Sequence, residues 1–171
     1  MWELFLSALQ AYEVYVEGIE STKYVCFKDQ ASLHLGEPPS RCQKVYGEIP
    51  YERVIEFIDL ENALVTRSIL ILREEPTLKT LSGYLIKEKT QVCLQEIRGK
   101  LIYFLVNEDY SVKRGDIIAY HVTGKLEVRS VKSKCEGRVV LIVDMPWETP
   151  RKAILVVAPS ECRRVNVEKS A

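Results

Sequence analysis

One lysine stands in a sequence context that suits covalent chemistry. Lys125 follows Thr123 and Gly124, and glycine accepts positive φ values at little cost, which is typical of a tight turn. An amine at an exposed turn can be acylated, and the attached group could then swing between distant sites. A phosphate-binding P-loop is not predicted, because Leu126 follows the lysine and no helix comes after it. The alternative is an ordinary solvated turn lysine.

A histidine and a cysteine are the other candidates for chemistry. His121 lies in an alternating strand segment, and no serine, cysteine or acid pattern nearby completes a triad, so we expect a packed or solvated residue rather than a base. Cys135 precedes a turn and has Lys134 and Arg138 as basic neighbours, which can favour a reactive thiolate. We expect it to be an inert, partly exposed thiol, with a reactive thiol as the alternative.

The cysteines as a group do not predict a metal site. The five of them are Cys26, Cys42, Cys93, Cys135 and Cys162. None forms a Cys-x-x-Cys pair and the two histidines are far apart in the sequence, whereas zinc ligands are usually paired at short spacing. In a cytoplasmic chain they are expected to be reduced, part-buried thiols. One disulfide is the alternative if the source is a hyperthermophile.

Two segments 38 residues apart repeat one pattern, since Gly99 and Gly137 are each followed by a basic residue and five or six apolar residues. The other matching positions at this spacing are the basic pairs 113–114 and 151–152 and the apolar triplets 117–119 and 155–157. One copy alone would leave an apolar face exposed to water. We therefore expect two interlocked β motifs, related by a pseudo-two-fold axis, around a single core.

The repeated region, from about residue 92 to 158, resembles the lipoyl and biotinyl carrier domains. The family's spacing of valine, turn, valine and Gly-Asp is matched without a gap by Val106, Val112 and Gly115-Asp116, and Lys125 stands where the family carries its modified lysine. The resemblance implies a barrel-sandwich hybrid fold. It also implies a carrier function, with lipoate or biotin attached to Lys125.

Two positions depart from the carrier pattern. Asp109-Tyr110 replaces the family's first Gly-Asp, which the fold tolerates because aspartate adopts turn conformations readily. Gly124 and Leu126 replace the residues that usually flank the modified lysine, and attachment enzymes read these flanks. We therefore favour a domain of this fold without a covalent cofactor, and keep attachment at Lys125 as the alternative.

The whole chain also resembles an archaeal family of unknown function, in which a β-rich segment precedes a biotinyl/lipoyl-like half. The likeness rests on the segments 112–119 (Val-Lys-Arg-Gly-Asp-Ile-Ile-Ala), 123–129 (Thr-Gly-Lys-Leu-Glu-Val-Arg) and 137–144 (Gly-Arg-Val-Val-Leu-Ile-Val-Asp). This resemblance implies a fold and no activity.

The N-terminal half reads as short strands separated by turns. The segments 12–17 and 23–28 predict a hairpin, and 36–40 a proline-containing loop. Pro50 can open a short helix over 51–64, with a strand at 54–58 as the alternative. A buried strand is predicted at 65–72, and the charged tetrad 73–76 is the expected boundary between two domains.

Aromatic residues are candidates for partner binding. Trp147 lies in a proline-bracketed turn and could anchor a partner, but we favour a tryptophan that folds back over an open end of the barrel. Trp2, Phe5, Tyr46 and Tyr51 allow the same two interpretations, and most are expected in the core.

Composition excludes several classes of protein. Apolar residues make up 47% of the 171 and charged residues 28%, which is typical of a globular protein. Twenty-four basic residues balance twenty-four acidic ones, so neither nucleic acid nor a membrane is an expected partner. No apolar run approaches the ~20 residues of a transmembrane helix, and the first residues do not resemble a secretory signal. The expected location is the cytoplasm.

These observations predict a mainly β protein of two domains. Residues 1–78 would form a β-rich (α+β) domain with one short helix, and 79–171 a barrel-sandwich hybrid of the biotinyl/lipoyl type. We expect a non-enzymatic binding or scaffold protein with no cofactor and no metal, and with a protein partner or a second copy of the chain. The alternative function is an acyl or carboxyl carrier modified at Lys125.

Overall fold

The computed structural model describes residues 12–37, 40–75, 77 and 79–170. Within them the protein is mainly β, as predicted, with one 3₁₀ helix at Tyr51–Phe57. The strands are β1 (Glu13–Glu17), β2 (Lys23–Phe27), β3 (Ala31–Leu35), β4 (Lys44–Ile49), β5 (Ile58–Asp59), β6 (Leu64–Val65), β7 (Ile69–Glu75), β8 (Thr80–Ile86), β9 (Cys93–Gly99), β10 (Leu101–Phe104), β11 (Ser111–Val112), β12 (Ile117–Val122), β13 (Val128–Lys132), β14 (Gly137–Met145), β15 (Arg151–Ala158) and β16 (Arg163–Lys169).

The chain forms two compact units that are discontinuous in sequence. Unit 1 comprises residues 1–57, 65–89 and 163–171, and unit 2 comprises 58–64 and 90–162. The predicted division after residue 78 therefore falls inside unit 1, between two paired strands. The charged residues of the tetrad do not end β7, because β7 continues through Glu75 and pairs with β8 along its whole length.

Unit 1 is a closed barrel of seven strands in the order β1-β4-β2-β3-β16-β8-β7, with β7 pairing back to β1. All neighbours are antiparallel except β16 and β3. Because side chains alternate along a strand, every second residue points into the barrel. The interior is filled by Tyr15, Val25, Ala31, Leu33, Tyr46, Leu70, Leu72, Leu81, Leu85, Val165 and Val167.

The predicted hairpin of residues 12–28 is wrong in its pairing, although both of its strands exist. β4 lies between β1 and β2 and pairs with each of them. The connection after β1 is tied to β4 rather than folded into a tight turn, since the Gly18 N–H donates to the Val45 carbonyl oxygen at 2.9 Å. Five residues separate β1 from β2, which is long enough for this crossing.

The other predictions for this half are met in part. A short helix does follow Pro50, but it is a 3₁₀ helix that ends at Phe57 and buries Val54. The predicted strand 65–72 is divided into β6 and β7 by residues 66–68. Trp2, Phe5 and part of the loop 36–40 lie outside the described residues. Tyr46 is buried in the barrel, as expected for an aromatic residue of the core.

Unit 2 consists of two sheets, one of three strands in the order β10-β12-β13 and one of four in the order β11-β14-β15-β9. The two glycine-led strands, β10 and β14, lie one in each sheet and pack on the same core. That core consists of Ile97, Val106, Val112, Ile118, Ala119, Cys135, Val139, Leu155 and Val157, with Ile102, Phe104 and Ile142 among the side chains against it. A shift of 38 residues along the sequence places β10 on β14 and β12 on the end of β15. β10 and β12 are neighbours in one sheet, and β14 and β15 are neighbours in the other. The expectation of two β motifs around one core is confirmed.

The expectation that the cysteines are reduced is wrong for four of the five. Cys26 and Cys42 form a disulfide in unit 1, and Cys93 and Cys135 form one in unit 2. The partners are 16 and 42 residues apart, so no local spacing indicated the pairing. The Cys162 thiol is not part of either bond.

Membrane crossing by a helix is not supported within the described residues, where no helix is both long and apolar enough to span a bilayer. The same residues contain no group of three His, Cys, Asp or Glu side chains that could hold a metal ion.

Candidate functional site

Lys125 lies at the tip of the hairpin that joins β12 to β13. The Leu126 N–H donates to the Thr123 carbonyl oxygen at 2.9 Å, and the Thr123 N–H donates to the Glu127 carbonyl oxygen at 2.8 Å. The Glu127 N–H in turn donates to the Thr123 hydroxyl at 3.2 Å. These bonds place Gly124 and Lys125 at the two central positions of the turn. Lys125 is exposed, as its sequence context predicted.

The turn is held in shape at some conformational cost. Leu126 has a φ of 63°, which is the left-handed region that side-chain-bearing residues rarely adopt and that costs about 1–2 kcal/mol. The three hydrogen bonds around Thr123 offset this cost. The Lys125 amine makes no ion pair with another described residue, since the only pair in the hairpin joins Glu127 to Arg129 at 2.9 Å.

The outer face of the sheet β10-β12-β13 is apolar and exposed. Strand register places Leu101, Val122 and Val128 in one row across the sheet, and Tyr103, Tyr120 and Ser130 in the next. We call these six residues the open sheet face. The exposed fractions are 59% for Leu101, 66% for Tyr103, 38% for Tyr120 and 67% for Val128.

Further apolar side chains extend this surface at the ends of the same strands. Leu105 is 42% exposed, Ile117 44% and Leu126 66%. The two tyrosines of the open sheet face alone leave roughly 200 Å² in water, given the 150–250 Å² that one aromatic side chain can bury. A contiguous apolar surface of several hundred Å² on a folded domain usually marks an interaction site.

Three lysines lie at the border of the open sheet face. Lys100 precedes Leu101, Lys125 and Leu126 form the hairpin tip, and Lys132 is opposite Ile117. All three lysines are exposed, and none makes an ion pair with another residue in the described part of the chain. The surface therefore combines an apolar centre with uncompensated positive charge at its border.

His121 is a structural residue of the strand. Its Nδ1 donates to the Arg98 carbonyl oxygen at 2.8 Å, because a carbonyl oxygen can only accept. This bond joins the end of β12 to the end of β9 and fixes the ring. The prediction of a packed or solvated residue is thus consistent with the structure.

Cys135 is neither exposed nor a thiol, contrary to the prediction from its turn context. Its side chain is 1% exposed and is bonded to Cys93. The segment around it is fastened to β9 by the buried Gln95, whose amide donates to the Lys132 carbonyl oxygen at 2.8 Å and accepts from the Lys134 N–H at 2.9 Å. This segment stabilises unit 2 and is not a reactive site.

Trp147 does not cover an end of the barrel, so the interpretation that we favoured from the sequence is wrong. It lies in the turn between β14 and β15 and is 65% exposed. The Glu148 N–H donates to the Met145 carbonyl oxygen at 3.1 Å and closes this short turn. Trp147 remains available as a single anchoring residue.

The open sheet face was not predicted from the sequence. The signal was the uninterrupted apolar run from Leu101 to Val106, whose apolar face we expected to be covered by the second copy of the motif. A strand with apolar residues at both odd and even positions has two apolar faces. In β10 only one of them, with Ile102 and Phe104, packs on the core of unit 2.

Comparison with known proteins gives a family and no activity. A family model described as "Uncharacterized protein conserved in archaea (DUF2118)" matches residues 11–160. The match covers most of the chain, so the protein belongs to this archaeal family, as its sequence predicted. No curated protein matches it.

Proposed function

We propose that this member of an archaeal family of uncharacterised proteins is a non-enzymatic binding protein, and that the open sheet face is its binding surface. The observation that carries the proposal is the presence of two registered rows of exposed apolar residues on one sheet of a folded unit. Leaving such a surface in water costs about 25 cal/mol per Å² relative to its burial. A partner that covers it recovers this free energy.

We also infer that unit 2 is a barrel-sandwich hybrid of the biotinyl/lipoyl type. The inference is supported by the order of the strands, because β10 and β12 are neighbours in one sheet and their counterparts in the repeat, β14 and β15, are neighbours in the other. It is supported as well by the spacing of Val106, Val112 and Gly115 noted above. In this interpretation the framework of a carrier domain serves as a rigid platform.

The proposed partner is a protein whose own surface is apolar and flanked by carboxylates. A flat sheet face suits a protein better than a small molecule, which usually binds in a concave site. Tyrosines are enriched among the residues that dominate the energy of protein interfaces. The unpaired Lys100, Lys125 and Lys132 at the border would be complementary to acidic groups and would speed association at low salt.

Binding, rather than catalysis, is proposed because of the side chains on this face. The open sheet face carries apolar, aromatic and hydroxyl groups only. It includes no carboxylate, histidine or cysteine that could serve as a base or a nucleophile. The cytoplasm is part of this proposal, and the two disulfides are compatible with it in the hyperthermophilic archaea, whose intracellular proteins are rich in such bonds.

The test is site-specific photo-crosslinking in cells of the native source. A photo-reactive residue in place of Ser130, in the second row of the face, should crosslink a partner whose attached peptide is apolar and acid-flanked. The double substitution Tyr103→Ser and Val128→Ser should weaken binding of that partner at least about tenfold, because truncation of an interface anchor costs about 2 kcal/mol or more.

The matched control is Trp147→Ser, which removes an equally exposed aromatic residue of unit 2 that is not one of the six residues of the open sheet face. It should leave the crosslink unchanged. Unchanged crosslinking by the double variant would overturn the proposal, and loss with Trp147→Ser alone would move the site to the β14–β15 turn. If the only crosslinked product is a second copy of this chain, the open sheet face serves self-association and the proposal of an acidic partner is wrong.

A second candidate function is that of an acyl or carboxyl carrier, and its supporting observation is the exposed position of Lys125 at a hairpin tip. If this is correct, intact-mass analysis of protein from its native source should show an increase of lipoyl or biotinyl size, absent from Lys125→Arg. Lys134→Arg, at another exposed lysine, is the control. An unmodified mass in cells that make both cofactors excludes the carrier.

A further inference from the structure

One end of the barrel of unit 1 is lined by charged side chains that point inward. The interior is filled by apolar residues. Because side chains alternate along a strand, the residue two positions beyond the last core residue of a strand also points into the barrel. At this end those positions are Glu17, Phe27, Lys44, Ser68, Lys87 and Arg163, from six different segments. We call this end the barrel mouth.

The barrel mouth contains an open cavity of about 620 Å³. Small-molecule sites in proteins measure roughly 300–1,000 Å³, and barrel mouths are among their usual places. Tyr46 and Leu85, the last core residues, form part of its lining, and the ring of Phe27 meets that of Tyr46 edge to face with centroids 5.3 Å apart. A ligand here would contact apolar surface below and charged groups around it.

Two buried polar groups face this cavity. Tyr46 is 1% exposed and Ser68 is 6% exposed. The Ser68 hydroxyl accepts the Glu88 N–H at 3.0 Å. Burial, assisted by the negative charge of Glu17, raises the pKa of Tyr46 to about 12. At neutral pH the Tyr46 hydroxyl therefore keeps its proton and can donate it in a hydrogen bond.

The charge at the barrel mouth is positive. Lys28, Lys44, Lys87 and Arg163 line the cavity, against the carboxylates of Glu17 and Glu88 only. Within the described part of the chain none of these four cations forms an ion pair. Cations gathered around a concave surface attract anions more strongly than isolated ones, because the low-dielectric wall focuses their field.

The opposite end of the same barrel has its charges compensated. Lys23 binds Glu13 at 2.8 Å and Glu48 at 3.3 Å, and Lys169 binds Glu74. These residues are also inward positions, one step beyond the core in the other direction. The barrel therefore closes one end with internal ion pairs and leaves the cations of the other end without partners. An external anion is the partner that the barrel mouth lacks.

We propose that the barrel mouth binds a small phosphorylated molecule. Lysine ammonium groups and an arginine guanidinium are the side chains that bind phosphate oxygens best, the arginine through two parallel hydrogen bonds. The Tyr46 hydroxyl and the ring of Phe27 would contact the non-phosphate part of the ligand. This site lies in unit 1 and is independent of the function proposed for unit 2.

The experiment is calorimetric titration of the full-length protein with inorganic pyrophosphate, and in parallel with citrate as a carboxylate of similar charge. Pyrophosphate should bind with a stoichiometry of one and more tightly than citrate. Its affinity should fall as the NaCl concentration rises, because the attraction is screened by salt. The double variant Lys87→Gln and Arg163→Gln should bind at least about tenfold more weakly, which corresponds to a loss of about 1.4 kcal/mol.

Lys134→Gln is the matched control, since it removes one exposed lysine of unit 2 and should leave the affinity unchanged. Melting temperatures of all variants establish that each is folded. Absence of pyrophosphate binding, or equal affinity in the wild type and the double variant, overturns the proposal. Tighter binding of citrate than of pyrophosphate overturns the assignment to phosphate.

Discussion

Gly83 lies in β8, opposite Leu72 of β7, where it leaves no room for a side chain. A Cβ atom built on it would be 1.8 Å from the Ile71 carbonyl oxygen, which belongs to the backbone of β7. Backbone atoms within a barrel cannot move aside as a flexible side chain can. Any side chain at this position therefore forces two paired strands apart.

We expect Gly83→Ala to lower the free energy of unfolding by about 2 kcal/mol or more, the usual cost of overpacking. In a protein of this size the melting temperature should fall by about 4–8 °C, measured by circular dichroism. Gly124→Ala is the control, because a Cβ there would meet no atom within 4 Å, and it should change the melting temperature little. Equal melting temperatures for both variants would contradict the described approach of β7 and β8.

Sequence reasoning at single residues worked where the environment is local. The exposure of Lys125 follows from the turn formed by its immediate neighbours, and these are visible in the sequence. Cys135 was misjudged because its environment depends on a residue far along the chain. Cys135 is paired with a cysteine 42 positions away, and no feature of its own turn indicates this.

At the scale of elements, the disulfide of unit 2 joins β9 to the connection between β13 and β14. In the chain-entropy model, a bond between residues 42 positions apart restricts the unfolded chain by about 4 kcal/mol. The bond of unit 1, between residues 16 apart, contributes about 3 kcal/mol by the same reasoning. Both bonds therefore contribute a large part of the stability of a protein of this size.

Replacement of both Cys93 and Cys135 by alanine should lower the melting temperature by more than replacement of Cys26 and Cys42, as measured by calorimetry under oxidising conditions. Cys162→Ala removes no disulfide and is the control. Addition of a reductant should lower the wild-type melting temperature and leave that of a variant lacking both bonds unchanged. Insensitivity of the wild type to the reductant would show that the bonds do not form.

The strands themselves could largely be predicted, whereas their partners could not. Period-two alternation and turn residues located β1, β2, β12 and β14 because these signals are local. Pairing is decided by burial across the whole unit, which is why β4 separates β1 from β2. The 38-residue repeat is the exception to this rule. Two similar apolar segments each need a similar apolar surface to cover them, so the repeat indicated that both segments pack on one core.

At the scale of the molecule, the balanced charge of the chain concealed an uneven distribution. Twenty-four basic and twenty-four acidic residues gave no reason to expect an anion site. In the barrel of unit 1, however, four cations and two carboxylates line one end, whereas at the other end Lys23 and Lys169 pair with three carboxylates. The cations of the barrel mouth are left without such partners. Only the closed order of the strands brings these residues together, so composition could not indicate the site.

The order in which the barrel strands occur along the chain has a consequence for biosynthesis. β16 lies between β3 and β8, yet it follows the whole of unit 2 in the sequence. On the ribosome, unit 2 can fold as soon as its last strand emerges, while the six earlier strands of unit 1 still have two open edges. Exposed edges of this kind invite pairing with other chains. The barrel of unit 1 therefore cannot close, and its two edges stay open to such pairing, until β16 has been made.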